Sequence, residues 1–123
     1  MRLLVDGMNV IGSRPDRWWR NRERAMRRLV TSLGAFATET GVQVTVVLDS
    51  RPFDLDEDLQ GVMVRFAPGG RDAADDEIVR IVEQDHTPET FQVVTSDREL
   101  AQRVQALGAR VSRAGSFRAE LDG

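Results

Sequence analysis

Leu3-Leu4-Val5-Asp6-Gly7-Met8-Asn9 is the stretch of sequence that decides the fold. A short apolar run of this kind predicts a buried strand of a parallel sheet, and ligands bind where such strands end. Two later stretches repeat the pattern of an apolar run followed by an acid, and a fourth block is acidic without a preceding run: Val44-Thr45-Val46-Val47-Leu48-Asp49-Ser50, Val93-Val94-Thr95-Ser96-Asp97 and Asp72-Ala73-Ala74-Asp75-Asp76-Glu77. Carboxylates gathered at one sheet edge repel one another unless a cation lies between them. Because hard divalent cations prefer oxygen ligands, the pattern favours metal-dependent chemistry on phosphates.

Length and composition predict one domain spanning residues 1–123. Hydrophobic residues make up 41% and charged residues 30% of the chain, which is ordinary for a globular protein. There is no cysteine, which excludes disulfides and thiolate-bound zinc. No targeting segment and no apolar stretch of roughly 20 residues is visible, so the default expectation is a cytoplasmic protein without a membrane partner.

Alternating strand and helix patterns predict an α/β fold, a three-layer sandwich with a central, mostly parallel sheet. The predicted strands are residues 2–5, Gln43–Leu48, Val62–Phe66, Phe91–Val94 and 109–111. The predicted helices are residues 21–40, 72–84, 97–107 and 115–121, with Gly41 and Gly108 as C-caps. Residues 6–20 are predicted to form a loop, and residues 51–61 an acidic loop that includes Asp54 and Asp58.

Three strand-end acids are the first candidates for a functional site. If the first, second and fourth strands lie side by side, Asp6, Asp49 and Asp97 converge at their carboxyl ends. A strand-end Asp can equally be a turn residue or a helix cap.

The acidic block at the start of the second helix adds two candidates. Asp75 stands three residues before the apolar Ile78, so it borders the buried stripe and is the preferred metal ligand, with Asp76 assisting. The alternative is a helix start stabilised by acids, with Asp72 as N-cap and Asp75 at the third helical position.

Polar residues next to these acids can assist chemistry. Asn9 can orient a water molecule or contact a phosphate, although turn residues are often Asn. Thr95 and Ser96 can hydrogen-bond a carboxylate or a phosphate, and they can also cap the third helix.

Positive charge is concentrated in one short segment, although the net charge is −3. All 17 basic residues are arginine, and seven of them fall within residues 14–28: Arg14, Arg17, Arg20, Arg22, Arg24, Arg27 and Arg28. Trp18 and Trp19 lie in the same segment, and arginine combined with aromatic surface suits single-stranded nucleic acid. The alternative is a solvated helix face with both tryptophans packed on the core.

Several enzyme classes are excluded by missing motifs. The chain has no Gly-x-x-x-x-Gly-Lys-Ser/Thr loop, no Gly-x-Gly-x-x-Gly after the first strand and no Gly-x-Ser-x-Gly. Receiver domains and haloacid-dehalogenase-like phosphatases also gather strand-end Asp residues, but they normally use a lysine, which this chain lacks. Phosphodiester hydrolysis by metal-activated water remains.

Four motifs, in order, resemble those of NYN-domain proteins, most closely the YacP-like branch of the PIN-like nucleases. They are the segments around Asp6 and Asn9, around Asp49, around Asp75 and Asp76, and around Thr95-Ser96-Asp97, and the resemblance covers residues 2–117. It implies a compact α/β fold, an acidic pocket for Mg²⁺ or Mn²⁺, and a role as a ribonuclease or RNA-processing factor. Met8 departs from the aromatic residue that is common in that branch, and the chain is short.

Motifs and resemblance together give one hypothesis, a metal-dependent endoribonuclease. Its metal ligands are Asp6, Asp75 and Asp97, with Asp49 and Asp76 assisting, and Asn9 and Ser96 position the phosphate or the water. Its RNA contacts are Arg14, Arg17, Trp18, Trp19, Arg20, Arg24 and Thr95.

Three alternatives stay open. They are a catalytically silent RNA-binding module, a toxin-like PIN ribonuclease with an inhibitory partner, and a phosphatase acting on small esters. The RNA target, dimer formation and docking to a ribosome or another RNA–protein complex are also open.

Overall fold

The computed structural model of the chain describes residues 1–55, 61–70 and 72–123. Five strands form one sheet: β1 (Arg2–Asp6), β2 (Gln43–Leu48), β3 (Val62–Phe66), β4 (Phe91–Val94) and β5 (Arg110–Ser112). All pairings are parallel, in the order β3-β2-β1-β4-β5. Because β1 lies between β2 and β4, the condition for Asp6, Asp49 and Asp97 to share one edge of the sheet is met. The chain reverses its direction of travel between β1 and β4, which is where open parallel sheets bind ligands.

Among the described residues, five helices cover the two faces of this sheet: α1 (Gly7–Gly12), α2 (Arg22–Thr40), α3 (Ala73–Glu83), α4 (Arg98–Ala106) and α5 (Ala114–Asp122). Short 3₁₀ turns lie at Trp18–Arg20 and Pro88–Thr90. Side chains alternate between the faces, so that Leu3 and Val5 pack with α1, α2 and α5, whereas Leu4 packs with α3 and α4. The three-layer α/β architecture is confirmed. No helix in the described part of the chain is long and apolar enough to cross a bilayer.

The segment after β1 differs from its prediction. The prediction of a loop over residues 6–20 is wrong, because it contains α1 and the first 3₁₀ turn. Gly7 does not serve a tight turn. It lies in α1, where a Cβ would come within 2.6 Å of Leu48 Cδ2 and 2.9 Å of the Val47 carbonyl oxygen. Glycine is therefore needed for the close approach of α1 to β2.

Two smaller predictions also need correction. Asp72 occupies the N-cap position of α3, but its side chain makes no capping hydrogen bond. Helix α4, which was predicted as the third helix, is capped by Asp97 itself and not by Thr95 or Ser96. The acidic loop predicted over residues 51–61 lies partly outside the described residues, because positions 56–60, Asp58 among them, are not described.

At the opposite, amino-terminal edge of the sheet, a charged contact fixes β1. The guanidinium of Arg2 donates to both carboxylate oxygens of Asp85, at 2.9 and 2.8 Å, and lies over the Phe91 ring at 3.9 Å. Arg2 holds the pKa of Asp85 well below its usual range. This bidentate ion pair ties the first strand to the connection between α3 and β4.

Candidate metal centre and nucleic-acid interface

Asp6 ends β1 inside the protein, with 5% of its surface exposed. The Thr95 hydroxyl donates a 2.9 Å hydrogen bond to Asp6 Oδ2. Burial raises the pKa of Asp6 to about 6, the Thr95 hydrogen bond opposes this rise, and the charges of Asp75 and Asp97 add to it. The backbone of Asn9 also lowers the pKa of Asp6, so hydrogen bonds from Thr95 and Asn9 only partly offset burial and the neighbouring negative charges.

Asp75 lies half-buried in the first turn of α3. Burial raises the pKa of Asp75, and the negative charges of Asp97 and Asp72 raise it further. Asp6, Asp75 and Asp97 thus come from β1, α3 and the β4–α4 loop, and the charges of Asp75 and Asp97 act on Asp6. We call these three residues the acidic cluster.

Asp97 caps a helix, which is one of the two roles that the sequence left open for a strand-end Asp. Its Oδ1 accepts a 3.0 Å hydrogen bond from the Leu100 amide, which makes it the N-cap of α4. Its own amide donates to Thr95 Oγ1 at 3.1 Å. Thr95 therefore connects Asp97 to Asp6, and capping fixes the position of the Asp97 carboxylate within the acidic cluster.

The two assisting acids lie at the margins of the cluster. Asp49 has Arg22 as its ion-pair partner, with 3.9 Å between Arg22 Nη2 and Asp49 Oδ2. Asp76 is exposed and accepts a 3.3 Å hydrogen bond from Arg103, although its charge does raise the pKa of Asp75. The structure brings Asp75, but not Asp49, into the electrostatic neighbourhood of Asp6.

Asn9 and Ser96 hold the elements around the cluster together. Asn9 Oδ1 accepts a 2.8 Å hydrogen bond from the Ser96 amide, and Ser96 Oγ accepts a 3.0 Å hydrogen bond from the Ala114 amide at the start of α5. These bonds connect α1, the β4–α4 loop and α5. Because the side-chain oxygen of Asn9 accepts the hydrogen bond from Ser96, the side-chain NH₂ group of Asn9 is the part that can contact a ligand.

Thr95 does not fit its predicted contact with nucleic acid. It is 1% exposed, and its hydroxyl is engaged by Asp6 and by the Asp97 amide. The prediction that it could hydrogen-bond a carboxylate is the one that the structure confirms.

The arginine segment lies on the α1–α2 side of the molecule and divides into two groups. Arg14 is held by Asp122 on α5, at 2.6 Å, and Arg28 lies 3.9 Å from Asp16. Arg17, Arg20 and Arg24 have no ion-pair partner in the described ranges 1–55, 61–70 and 72–123.

The two tryptophans also differ from each other. Trp18 packs against the core, as the structural alternative predicted, and it also lines a pocket with the arginines. Trp19 is 60% exposed and meets Trp18 edge-on, with ring centroids 6.1 Å apart. Trp19 is therefore the freely accessible aromatic surface of this segment.

A family model described as the YacP-like NYN domain matches residues 3–123, nearly the whole chain. The chain belongs to the YacP-like NYN domain family. This NYN domain therefore has a PIN-like nuclease fold, as the four motifs indicated. No curated protein matches its sequence.

Two solved structures of Rae1 (YacP) from Bacillus subtilis resemble the NYN domain over 99% of its chain. A variant of that protein superimposes with a TM-score of 0.78 at 25% identity, and the protein itself with 0.80 at 24% identity. In both comparisons the NYN domain covers 74% of the Rae1 chain. The α/β fold of the NYN domain is thus similar to that of Rae1.

The donor chemistry of the acidic cluster fits a hard divalent cation, because every candidate ligand is a carboxylate and two of them have raised pKa values. As placed, however, no three carboxylate or imidazole groups among the described residues of the NYN domain lie close enough to hold a metal ion together. A cation bound by all three acids would therefore require side-chain rotation.

Two features of this surface have no signal in the sequence. The Arg14–Asp122 pair joins residues 108 positions apart, and the Ser96–Ala114 bond joins the β4–α4 loop to α5. Both depend on how α1 and α5 pack on the same face of the sheet. Only knowledge of that packing could have predicted them.

Proposed function

We propose that this NYN domain is a metal-dependent endoribonuclease that hydrolyses RNA phosphodiester bonds. The observation that carries the proposal is the acidic cluster, which brings Asp6, Asp75 and Asp97 together from three elements at the point where the chain reverses across the sheet. Burial and neighbouring acids raise the pKa values of Asp6 and Asp75 although Thr95 and Asn9 oppose the rise at Asp6 and Arg103 opposes it at Asp75, and perturbed carboxylates of this kind are typical of functional sites. The family supports nuclease chemistry.

Each acid has a role in this proposal. Asp6, Asp75 and Asp97 would hold Mg²⁺ or Mn²⁺, with Asp49 and Asp76 adjusting the field from the margins. A bound cation of this kind supplies Lewis-acid activation of water and neutralisation of charge on the phosphate. Thr95 orients the Asp6 carboxylate, and capping of α4 fixes Asp97.

The polar residues beside the cluster position the reactants. The Asn9 NH₂ group is available to donate to a phosphate oxygen or to the attacking water, because only the amide oxygen is used by Ser96. The Ser96 hydroxyl accepts from Ala114 and keeps its own proton to donate. These residues therefore contribute orientation, not proton abstraction.

RNA as the substrate is supported by the arginine segment and by the family. Arg17, Arg20 and Arg24 add positive charge near Trp19, and arginine with aromatic surface suits a single strand. Such binding depends on phosphate contacts, so it should weaken steeply as the salt concentration rises.

The test is cleavage of an unstructured RNA with Mn²⁺, with and without a chelator. We expect cleavage that the chelator abolishes and that Asp6→Asn reduces by at least about a hundredfold, because the site loses a charged ligand. Glu39→Gln is the matched control, since Glu39 is an exposed carboxylate in the last turn of α2. Chelator-resistant cleavage, or equal rates for Asp6→Asn and Glu39→Gln, would contradict the proposal.

One observation favours a second candidate, a catalytically silent RNA-binding module. The described residues contain no ready three-ligand metal site. This candidate predicts salt-sensitive RNA binding that persists in Asp97→Asn, with no cleavage product from any variant. The same cleavage assay, combined with a binding measurement, separates the two functions.

A further inference from the structure

The arginine segment encloses a pocket of about 430 Å³ between α1, the first 3₁₀ turn and the start of α2. Its most distinctive lining residues are five arginines and one tryptophan: Arg14, Arg17, Arg20, Arg24, Arg28 and Trp18. We call it the arginine pocket. Its volume lies at the lower end of the range of small-molecule sites, which suits a ligand the size of one nucleotide and not a duplex.

The arginine pocket carries positive charge that the protein itself does not neutralise. Asp16 is the one acid that lines it, and Asp16 lies near Arg28. Arg14 is satisfied by Asp122. Arg17, Arg20 and Arg24 therefore contribute three charges without an ion-pair partner among the described residues, in a chain whose net charge is −3.

Local structure maintains this unfavourable arrangement. Arg17 has φ 58° and ψ 37°, and it is the one non-glycine residue with positive φ in the described segments. A conformation of this kind costs about 1–3 kcal/mol and persists where the surroundings enforce it, often at ligand sites. Arg24 and Arg28 are four residues apart on α2, where like charges repel. Both features are consistent with a site that is completed by an anion.

Helix α1 links the pocket wall to the strand that ends at Asp6. Ile11 lines the pocket and belongs to α1, which begins immediately after Asp6. Five residues of helix advance about 7.5 Å along its axis. The pocket wall at Ile11 is therefore only a short helix away from the residue that ends β1.

We propose that the arginine pocket binds one unpaired nucleotide of the RNA strand, next to the bond at the acidic cluster. The phosphate contacts Arg17, Arg20 and Arg24, and the base contacts the aromatic surface of Trp18. This inference deepens the proposed function and rests on it for the identity of the strand. In this proposal, the pocket is the part of the RNA-binding surface that accepts only an unpaired base.

Tryptophan fluorescence tests the pocket without any cleavage. In a Trp19→Phe variant, Trp18 is the single tryptophan, since the chain has two. Titration with adenosine 5′-monophosphate in the presence of a chelator should change Trp18 fluorescence saturably. Adenosine and inorganic phosphate should each bind more weakly, because each lacks half of the contacts.

Substitutions assign the binding to the pocket. Arg24→Gln should weaken binding of adenosine 5′-monophosphate about tenfold or more, the effect expected for loss of a charge-assisted hydrogen bond. Arg110→Gln is the matched control, since Arg110 is an exposed arginine on β5. The inference is overturned by absence of saturable binding, by equal affinity for adenosine, or by equal effects of the two substitutions. If inorganic phosphate bound as tightly as the nucleotide, the inference would also be overturned, because Trp18 would then contribute nothing to binding.

The two proposals can fail separately. Asp6→Asn should bind the mononucleotide as the parent does, because Asp6 does not line the pocket. Nucleotide binding without RNA cleavage would support the pocket as a nucleotide site and contradict the proposed nuclease function. RNA cleavage without nucleotide binding would support the nuclease function and contradict the nucleotide site.

Discussion

Asp6 illustrates at the scale of one residue how a candidate site conflicts with stability. Its carboxylate is buried at the end of the central strand, with a single hydroxyl donor from Thr95 and two neighbouring acids. Burial raises the pKa of Asp6 to about 6, so near neutral pH the folded protein must hold a charge that it disfavours. A group in this condition is better explained by a ligand than by packing.

The metal-free protein should be stabilised by Asp6→Asn at neutral pH. The folded-state pKa of Asp6 lies above the ordinary 3.8, so the folded state holds a proton that the unfolded state has lost between those values. Stability therefore falls as pH rises from about 4 to about 6 and then stays lower. Since each pKa unit corresponds to 1.36 kcal/mol, Asp6→Asn should increase the free energy of unfolding by about 3 kcal/mol at pH 7.5, and by little at pH 3.5. Asparagine can still accept the Thr95 hydrogen bond.

The measurement is denaturant unfolding of both proteins with a chelator at the two pH values. Glu39→Gln serves as the control for removing an exposed carboxylate, and it should have little effect at either pH. A destabilised Asp6→Asn protein at pH 7.5 would show that the carboxylate is structurally favourable, contrary to its raised pKa.

At this scale, the sequence predicted which acids lie near one another better than it predicted the contacts of the polar residues. The preference for Asp75 over Asp76 follows from helical geometry, and the structure places Asp75 nearer the cluster. Thr95 was assigned to nucleic acid because burial of its hydroxyl depends on the β1–β4 pairing, which local sequence does not reveal. The hydrogen bonds made by Asn9 and Ser96 were not predicted, because they also join segments that are distant in sequence.

At the scale of elements, α1 connects the acidic cluster to the arginine pocket. It packs against the end of β2 through Gly7, where no side chain can be accommodated. Its last turn supplies Ile11 to the pocket wall. The position of α1 thus determines the geometry of both proposed sites.

Gly7→Ala should therefore destabilise the protein by about 1–3 kcal/mol, the usual effect of overpacking. The added methyl would lie 2.6 Å from Leu48 Cδ2 and 2.9 Å from a backbone oxygen that cannot move easily. Thermal or denaturant unfolding measures the change. Gly115→Ala is the control, since it adds the same methyl within α5, where nothing lies within 4 Å.

The control should be neutral or stabilising by up to about 1 kcal/mol, because alanine favours helix more than glycine does. If both substitutions had the same effect, the close approach of α1 to β2 would not be limiting.

The helices and strands with clear periodicity were predicted well, and short ones were not. The structure has β2, β3 and β4 with the predicted limits, and α2 begins one residue later than predicted because Asn21 is its N-cap. Six-residue α1 was missed because it is too short to show a 3.6-residue repeat. Its single turn and a half is stabilised by packing on the sheet and not by its own sequence.

At the scale of the whole molecule, the two edges of the sheet have different roles. The carboxyl edge gathers unneutralised acids around Asp6, whereas the amino edge is closed by the Arg2–Asp85 ion pair. Stability and the proposed chemistry can therefore be altered separately.

Asp85→Asn should lower the thermal unfolding midpoint and leave RNA cleavage unchanged at temperatures where the protein stays folded. Arg2 lowers the pKa of Asp85, so the ion pair stabilises the folded state above the ordinary pKa near 4 and this contribution is lost as pH falls below it. The difference in midpoint between the two proteins should thus shrink under acidic conditions. A difference independent of pH would exclude the charge of Asp85 as its cause, and loss of cleavage would show that the two edges are coupled.

The overall arrangement followed from strand–helix alternation and right-handed crossovers, which allow few sheet orders. These rules could not predict contacts between side chains of elements that are distant in sequence, such as the ion pair of Arg14 with Asp122. That pair commits Arg14 to α5 and leaves Arg17, Arg20 and Arg24 as the arginines available to a ligand.

The shortness of α1 has a consequence for how members of this fold can diverge. One residue inserted between Asp6 and Ile11 would rotate the far end of α1 by about 100° and move it about 1.5 Å. The pocket wall would then turn away from the strand path that leaves the acidic cluster, although neither set of ligating side chains had changed. For the two proposed sites to contact one strand, the length of α1 therefore matters more than the identity of its exposed residues.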